Sequence, residues 1–171
     1  MNVFVSYRRD DSSYVTDRIY DTLVRYCDAD RVFRDIDSIK AGSDFRSRLS
    51  DAIQQCDLVL AVIGARWSTF TDANGHRRLD DPDDFVRIEL ETALDRQIPI
   101  IPLLIENVRM PAADELPDSL ADLPSKQGVV LRRDPDFEHD ISRLIEILQQ
   151  YGLNASDSSS TDSLGFGELG L

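Results

Sequence analysis

One carboxylate, a few basic side chains and a few aromatic rings in this sequence are placed where chemistry on a ligand is possible. The carboxylate is Glu89, within the run DDFVRIELETAL from Asp83 to Leu94. The run reads as a helix start. At about 100° per residue, Val86, Leu90, Ala93 and Leu94 form an apolar arc. Glu91 falls on the far side, in line with Arg87 and Asp95, where solvent is expected. Glu89 falls between Phe85 and Ala93, on the edge of the arc, with the Phe85 ring one turn before it. A carboxylate in that position is partly desolvated. It is either a structural partner that complements the helix dipole or a working acid. Arg8, Arg9, Arg34 and Lys40 lie in expected loops or strand ends. They either converge on an anionic small molecule or offset neighbouring acids such as Asp10, Asp11, Asp35 and Asp37.

Other chemistries find little support. No Gly-x-Gly-x-x-Gly stands between an expected strand and helix, the one such spacing (Gly165 to Gly170) lying in the tail, and there is no Walker loop to cradle a phosphate. Ser6 does not stand in a nucleophile elbow, and no histidine follows in triad order. His76 and His139 are isolated, so no metal is expected. Cys27 and Cys56 have no metal-like spacing and read as buried free thiols. The formal net charge of −13 opposes binding to nucleic acid or to anionic membranes. No apolar run approaches the roughly 18 residues of a membrane span. Val3-Phe4-Val5 opens the chain without a signal-peptide pattern.

The elements that must hold these residues alternate between strand and helix. Strands are expected at Val3–Val5, Val32–Phe33, Leu58–Ile63, Ile98–Ile105 and Gly128–Leu131. The fourth is expected to be short or irregular because of Pro99 and Pro102. Helical spacing runs through Tyr14 to Tyr26 with Ser12 or Ser13 as N-cap, through Phe45 to Cys56, through the Glu89 segment, and through Phe137 to Leu148. Trp67 to Pro82 reads as a long polar loop, and Asn107 to Lys126 as irregular chain. The pattern predicts an α/β fold with an open, mostly parallel sheet covered on both faces. Ligands in such sheets bind beyond the C-terminal strand ends. The Ser6–Asp11, Asp35–Ser43 and Trp67–Phe85 loops and Glu89 therefore belong to one rim. Residues 1–150 are expected to form the domain. Residues 151–171, rich in Ser, Asp and Thr, read as a disordered tail or linker stump that the fold does not need.

Three segments carry a family resemblance. VFVSYRRDDS at 3–12, VFRDIDSIKAGSDF at 32–45 and DDFVRIEL at 83–90 resemble, in order and spacing, the first box, the second strand with its BB loop, and the acid-bearing helix of a bacterial TIR (Toll/interleukin-1 receptor/resistance protein) domain of the NAD-cleaving group. The resemblance covers residues 1–150 and implies a flavodoxin-like three-layer fold: a central parallel five-stranded sheet with helices on both faces. It implies Glu89 as the catalytic acid. Ser6, Tyr7, Arg8, Arg9, Asp35, Lys40, Gly42, Phe45, Trp67 and Phe85 would bind the substrate. Phe85 stands where many members have tryptophan.

The resemblance further implies cleavage of the nicotinamide–ribosyl bond of NAD+, the substrate, with no separate cofactor. The activity would depend on self-association through the Asp35–Ser43 loop into a homo-oligomer or filament. A cytoplasmic role in bacterial, anti-phage defence is the expected setting. The alternative is a non-catalytic TIR–TIR adaptor, including one that mimics a host's TIR signalling. Glu89 favours the enzyme, since an adaptor has no need of an acid there.

Overall fold

The computed structural model describes residues 1–34 and 44–156, without the side chain of Phe45. Five strands, β1 (Val3–Ser6), β2 (Val32–Arg34), β3 (Leu58–Ile63), β4 (Ile100–Ile105) and β5 (Val129–Leu131), form one sheet. Its order is β2-β1-β3-β4-β5 and every pairing is parallel. Four α-helices accompany it among the described residues: α1 (Arg9–Tyr26), α2 (Phe45–Gln54), α3 (Phe85–Asp95) and α4 (Phe137–Gln150). This is the expected flavodoxin-like three-layer arrangement.

β3 lies at the centre, with every residue from Leu58 to Ile63 buried. A strand covered on both faces needs an apolar side chain at each position rather than alternation. Elsewhere the two-residue period sorts side chains between layers. Val3 and Val5 join Ile19 and Leu23 of α1 and Ile141, Leu144 and Leu148 of α4 on one face. Phe4 joins Leu49 and Ile53 of α2 and Val86, Leu90 and Ala93 of α3 on the other. Ser6 shares the parity of Phe4 and so points to the α3 side.

The structure corrects several expectations. Helix α1 begins at Arg9, ahead of Ser12 and Ser13, and Ser12 is a break inside it (φ −138°, ψ 21°) rather than its cap. β4 is regular through Pro102, which pairs with Ala61. β5 joins β4 only from Leu103 onward, so Pro102 lies beyond the end of that ladder. A residue without an N–H is tolerated in such a place. The two long loops are also more structured than expected. Trp67 and Leu79 are fully buried in the first. The second forms short 3-10 turns that bury Leu116, Leu120 and Leu123 against α3's layer.

The packed chain also runs past residue 150. Leu153 is 2% exposed and belongs to the α1–α4 core. The Ser156 N–H donates to the Tyr26 carbonyl at 2.9 Å. Residues 151–156 are therefore part of the domain, while the rest of the expected tail lies outside the described residues. Leu153 to Ser156 line a hollow of about 440 Å³ together with Met1, Asp28 and Arg31. It lies at the pole where the strands begin.

Candidate functional site

Chain order changes direction between β1 and β3, which are neighbours although β2 lies between them in sequence. Connections leave the C-terminal ends of these two strands in opposite directions, and the crevice so formed is the usual ligand site of this sheet type. β1 ends there at Ser6. The Ser6 hydroxyl donates to Glu89 Oε2 at 2.5 Å across 83 residues of sequence. Ser6 is 1% exposed and Glu89 is half-buried. Glu89 thus sits where the helical phase puts it, on the edge of α3's buried arc.

Asp84 sets where α3 starts. Its carboxylate caps the helix, accepting from the Arg87 N–H at 3.1 Å. The same carboxylate receives both Arg8 Nη atoms, at 2.9 and 3.0 Å. Arg8 Nε donates to the Trp67 carbonyl at 3.3 Å. Arg78 Nε donates at 3.4 Å to the same Asp84 oxygen, Oδ1, that Arg8 Nη1 reaches. Arg8 and Asp84 are only 4% and 3% exposed. Three segments therefore meet at one buried ion pair: the turn from β1 into α1, the loop after β3 and the start of α3.

A second tie joins α1 to the same loop. The Asp11 carboxylate accepts from the Arg66 N–H at 2.8 Å, and Arg66 Nη2 donates to the Asp10 carbonyl at 2.6 Å. Gly64 allows this approach, since a Cβ there would lie 2.2 Å from Asp11 Oδ2. Arg9 lines a hollow of about 520 Å³ with the first turns of α1, Gly64, Ala65 and the Ile105–Val108 segment.

The expected substrate-binding residues therefore divide. Ser6 and Glu89 are brought into contact. Tyr7 is half-buried beside them in sequence, and Phe85 is 51% exposed at the head of α3. Arg8 has its guanidinium committed to Asp84 and Trp67. The Trp67 ring is 1% exposed, placed in the core rather than on an open wall. Asp35, Lys40 and Gly42 lie outside the described residues, as does the Phe45 side chain.

Glu91 departs from expectation. It is half-buried rather than solvent-facing, accepting from Arg87 Nε and from the Ser119 hydroxyl, each at 2.6 Å. Sequence reasoning missed Asp84, although an aspartate directly before a helical run is a cap signal. Its ion pair with Arg8 spans 76 residues and leaves no local trace.

Burial pushes the Cys56 thiol up to about 12, which removes it as a nucleophile. Among the described residues no cluster of His, Cys, Asp and Glu is arranged to hold a metal ion, and no helix is long and apolar enough to cross a membrane.

Comparison with known proteins gives one family. A family model described as TIR domain matches residues 3–145. No curated protein matches in sequence. Among solved structures, the chain is similar to the TIR domains of the activated Roq1 resistosome, which directly recognises the pathogen effector XopQ. That likeness has a TM-score of 0.61 and 13% identity over 86% of this chain and 98% of the other. It is also similar to the CMP N-glycosidase BcmB of Clostridium botulinum, with a TM-score of 0.51 and 16% identity over 86% of this chain and 99% of the other. At these identities the likenesses speak for the fold.

Proposed function

As the chain belongs to the TIR domain family, we propose that it cleaves the nicotinamide–ribosyl bond of NAD+, as a glycohydrolase or cyclase, with Glu89 as the catalytic acid. The observation that carries the reading is the Ser6–Glu89 contact at the C-terminal end of β1. It sets an oriented carboxylate on the rim where this sheet type binds ligands.

The chemistry needs little more. The C1′–N bond breaks with its electron pair moving to the pyridinium nitrogen, so nicotinamide leaves neutral and needs no proton. Positive charge develops on the ribose as in glycoside cleavage. The Glu89 carboxylate stabilises that charge or orients the ribose hydroxyls, and Ser6 fixes which oxygen does so. Water then attacks C1′ and releases a proton, giving ADP-ribose. Attack by a nucleophile within the same molecule gives a cyclic product instead. Phe85 supplies a ring that can stack on a planar base. The Clostridium botulinum relative is named for cleavage of a nucleotide N-glycosidic bond, a reaction of the same type on this fold.

Self-association through the Asp35–Ser43 loop, with Lys40 and Gly42 in the contact, belongs to the same proposal, as does a cytoplasmic setting in bacterial defence signalling. Glu89→Gln keeps the size and removes the charge. It is expected to abolish NAD+ cleavage by concentrated protein, read as nicotinamide release, while the Tm stays within about 2 °C, the effect of less than 1 kcal/mol in a chain of this size. Full turnover in Glu89→Gln overturns the assignment. A parent protein that releases no nicotinamide at any concentration supports the adaptor instead.

A further inference from the structure

We infer that Arg8 and Asp84 form a positioning pair that sets the rotation and height of α3, and so holds the Glu89 carboxylate against Ser6, rather than a pair that meets the substrate. This rests on the reading of Glu89 as the working acid.

The geometry is that of a brace. Ser6 ends β1, and Arg8, two residues on, directly precedes α1. One reaches Glu89 and the other reaches Asp84, five residues earlier on the same helix. Two points of contact between a strand end and a helix fix the helix against rolling. The Arg8 fork engages both Asp84 oxygens, and its Nε engages the Trp67 carbonyl. Its donors on both edges are thus occupied within the protein, and 4% exposure leaves little of the group for a pyrophosphate. Lysine, a point charge on a flexible stem, cannot reproduce the fork. The Asp84 carboxylate does two jobs, receiving Arg8 and capping the helix through the Arg87 N–H. Asp84→Asn keeps an oxygen for the cap and removes the charge that Arg8 needs.

The test compares Arg8→Lys, Asp84→Asn and the double variant with the parent in steady-state NAD+ cleavage. Glu89→Gln serves as the control for loss of the acid itself. Misplacement of a catalytic group by about 1 Å costs on the order of 100-fold. Each single variant is therefore expected to lose roughly 10- to 100-fold in kcat with KM changed less than about twofold. The double variant is expected to be no worse than the poorer single, because both break one brace. A rise in KM at unchanged kcat for Arg8→Lys, with Asp84→Asn at parental activity, overturns the inference and makes Arg8 a substrate ligand.

A second measurement does not depend on turnover. The Glu89 side-chain carboxyl carbon, followed by NMR at one neutral pH, is expected to change its chemical shift in both variants relative to the parent, as its contact with Ser6 loosens. An unchanged Glu89 carboxyl signal in Asp84→Asn overturns the brace. If the parent cleaves no NAD+, the functional reading fails, and the NMR comparison alone decides the brace. If Arg8→Lys does not fold, Asp84→Asn carries both measurements.

Discussion

Ser6 and Glu91 illustrate how little a residue's type says before its partner is known. Ser6, a small polar residue at the end of an apolar strand, holds an oxygen of the proposed catalytic acid. A hydrogen bond to a charged group contributes about 1.5–3 kcal/mol, and about 1.4 kcal/mol is tenfold in rate. Ser6→Ala is therefore expected to lower kcat roughly 10- to 100-fold with the fold intact, as read by near-UV circular dichroism and initial rates. Glu91 follows Glu89 by two residues and looks idle by helical phase, yet it joins Arg87 to Ser119. Arg87 in turn donates to the carbonyls of Leu79 and Asp80. Glu91→Ala is expected to cost about 1 kcal/mol through these part-buried bonds. Thermal melts should show a fall of roughly 2–4 °C, with kcat per folded molecule retained.

Among the elements, those whose apolar pattern is local were legible in the sequence: β3, covered on both faces, as an unbroken run, α4 as a stripe from Phe137 to Leu148, and α3 as an arc with Glu89 on its edge. Illegible were elements made by long-range pairing. Leu116, Leu120 and Leu123 have near-helical spacing, but Pro117 and Pro124 interrupt it, and only the wall of α3 explains their burial. Trp67 and Leu79 sit in a stretch whose polar majority hides its two inward residues. The Arg8–Asp84 pair is invisible in principle, since neither neighbourhood announces the other. The tie between β5 and α4 is similar. Asp140, 1% exposed, accepts from the Arg132 N–H at 2.9 Å and from its Nε and Nη2 at 2.8 and 2.7 Å. Arg132 holds the Asp140 carboxyl at about 2, against 3.8 for the free group. A pKa lowered by folding adds stability above the unfolded value, and that stability is lost as pH falls through the folded one. The Asp140 contribution is thus complete above about pH 4 and gone near pH 2. With Arg132 partly exposed, roughly 1–2 kcal/mol is expected after solvent screening. Asp140→Asn should flatten the denaturant midpoint between pH 4 and 2. Glu115, held at about 2 by Arg109, titrates in the same window, so Glu115→Gln is the companion control.

For the whole molecule, the domain is longer than composition suggested. Truncation after Gln150 removes buried Leu153 and the Ser156–Tyr26 bond. Loss of a buried leucine costs about 2–4 kcal/mol, so the Tm is expected to fall by roughly 5–10 °C. Truncation after Ser156 should leave it unchanged. Calorimetry on the two shortened chains separates them, and equal melting would show that Leu153 contributes nothing. Met1 and Ser156 line the same hollow, while Glu89 sits beyond the far end of β1, four residues away at about 3.3 Å each. A biotin or fluorophore attached at Met1, or a surface tether continued from Ser156, would therefore hang from the underside and leave the Glu89 rim facing bulk solution. Immobilised that way, single copies could be held apart or crowded at chosen densities with their reactive faces all turned outward.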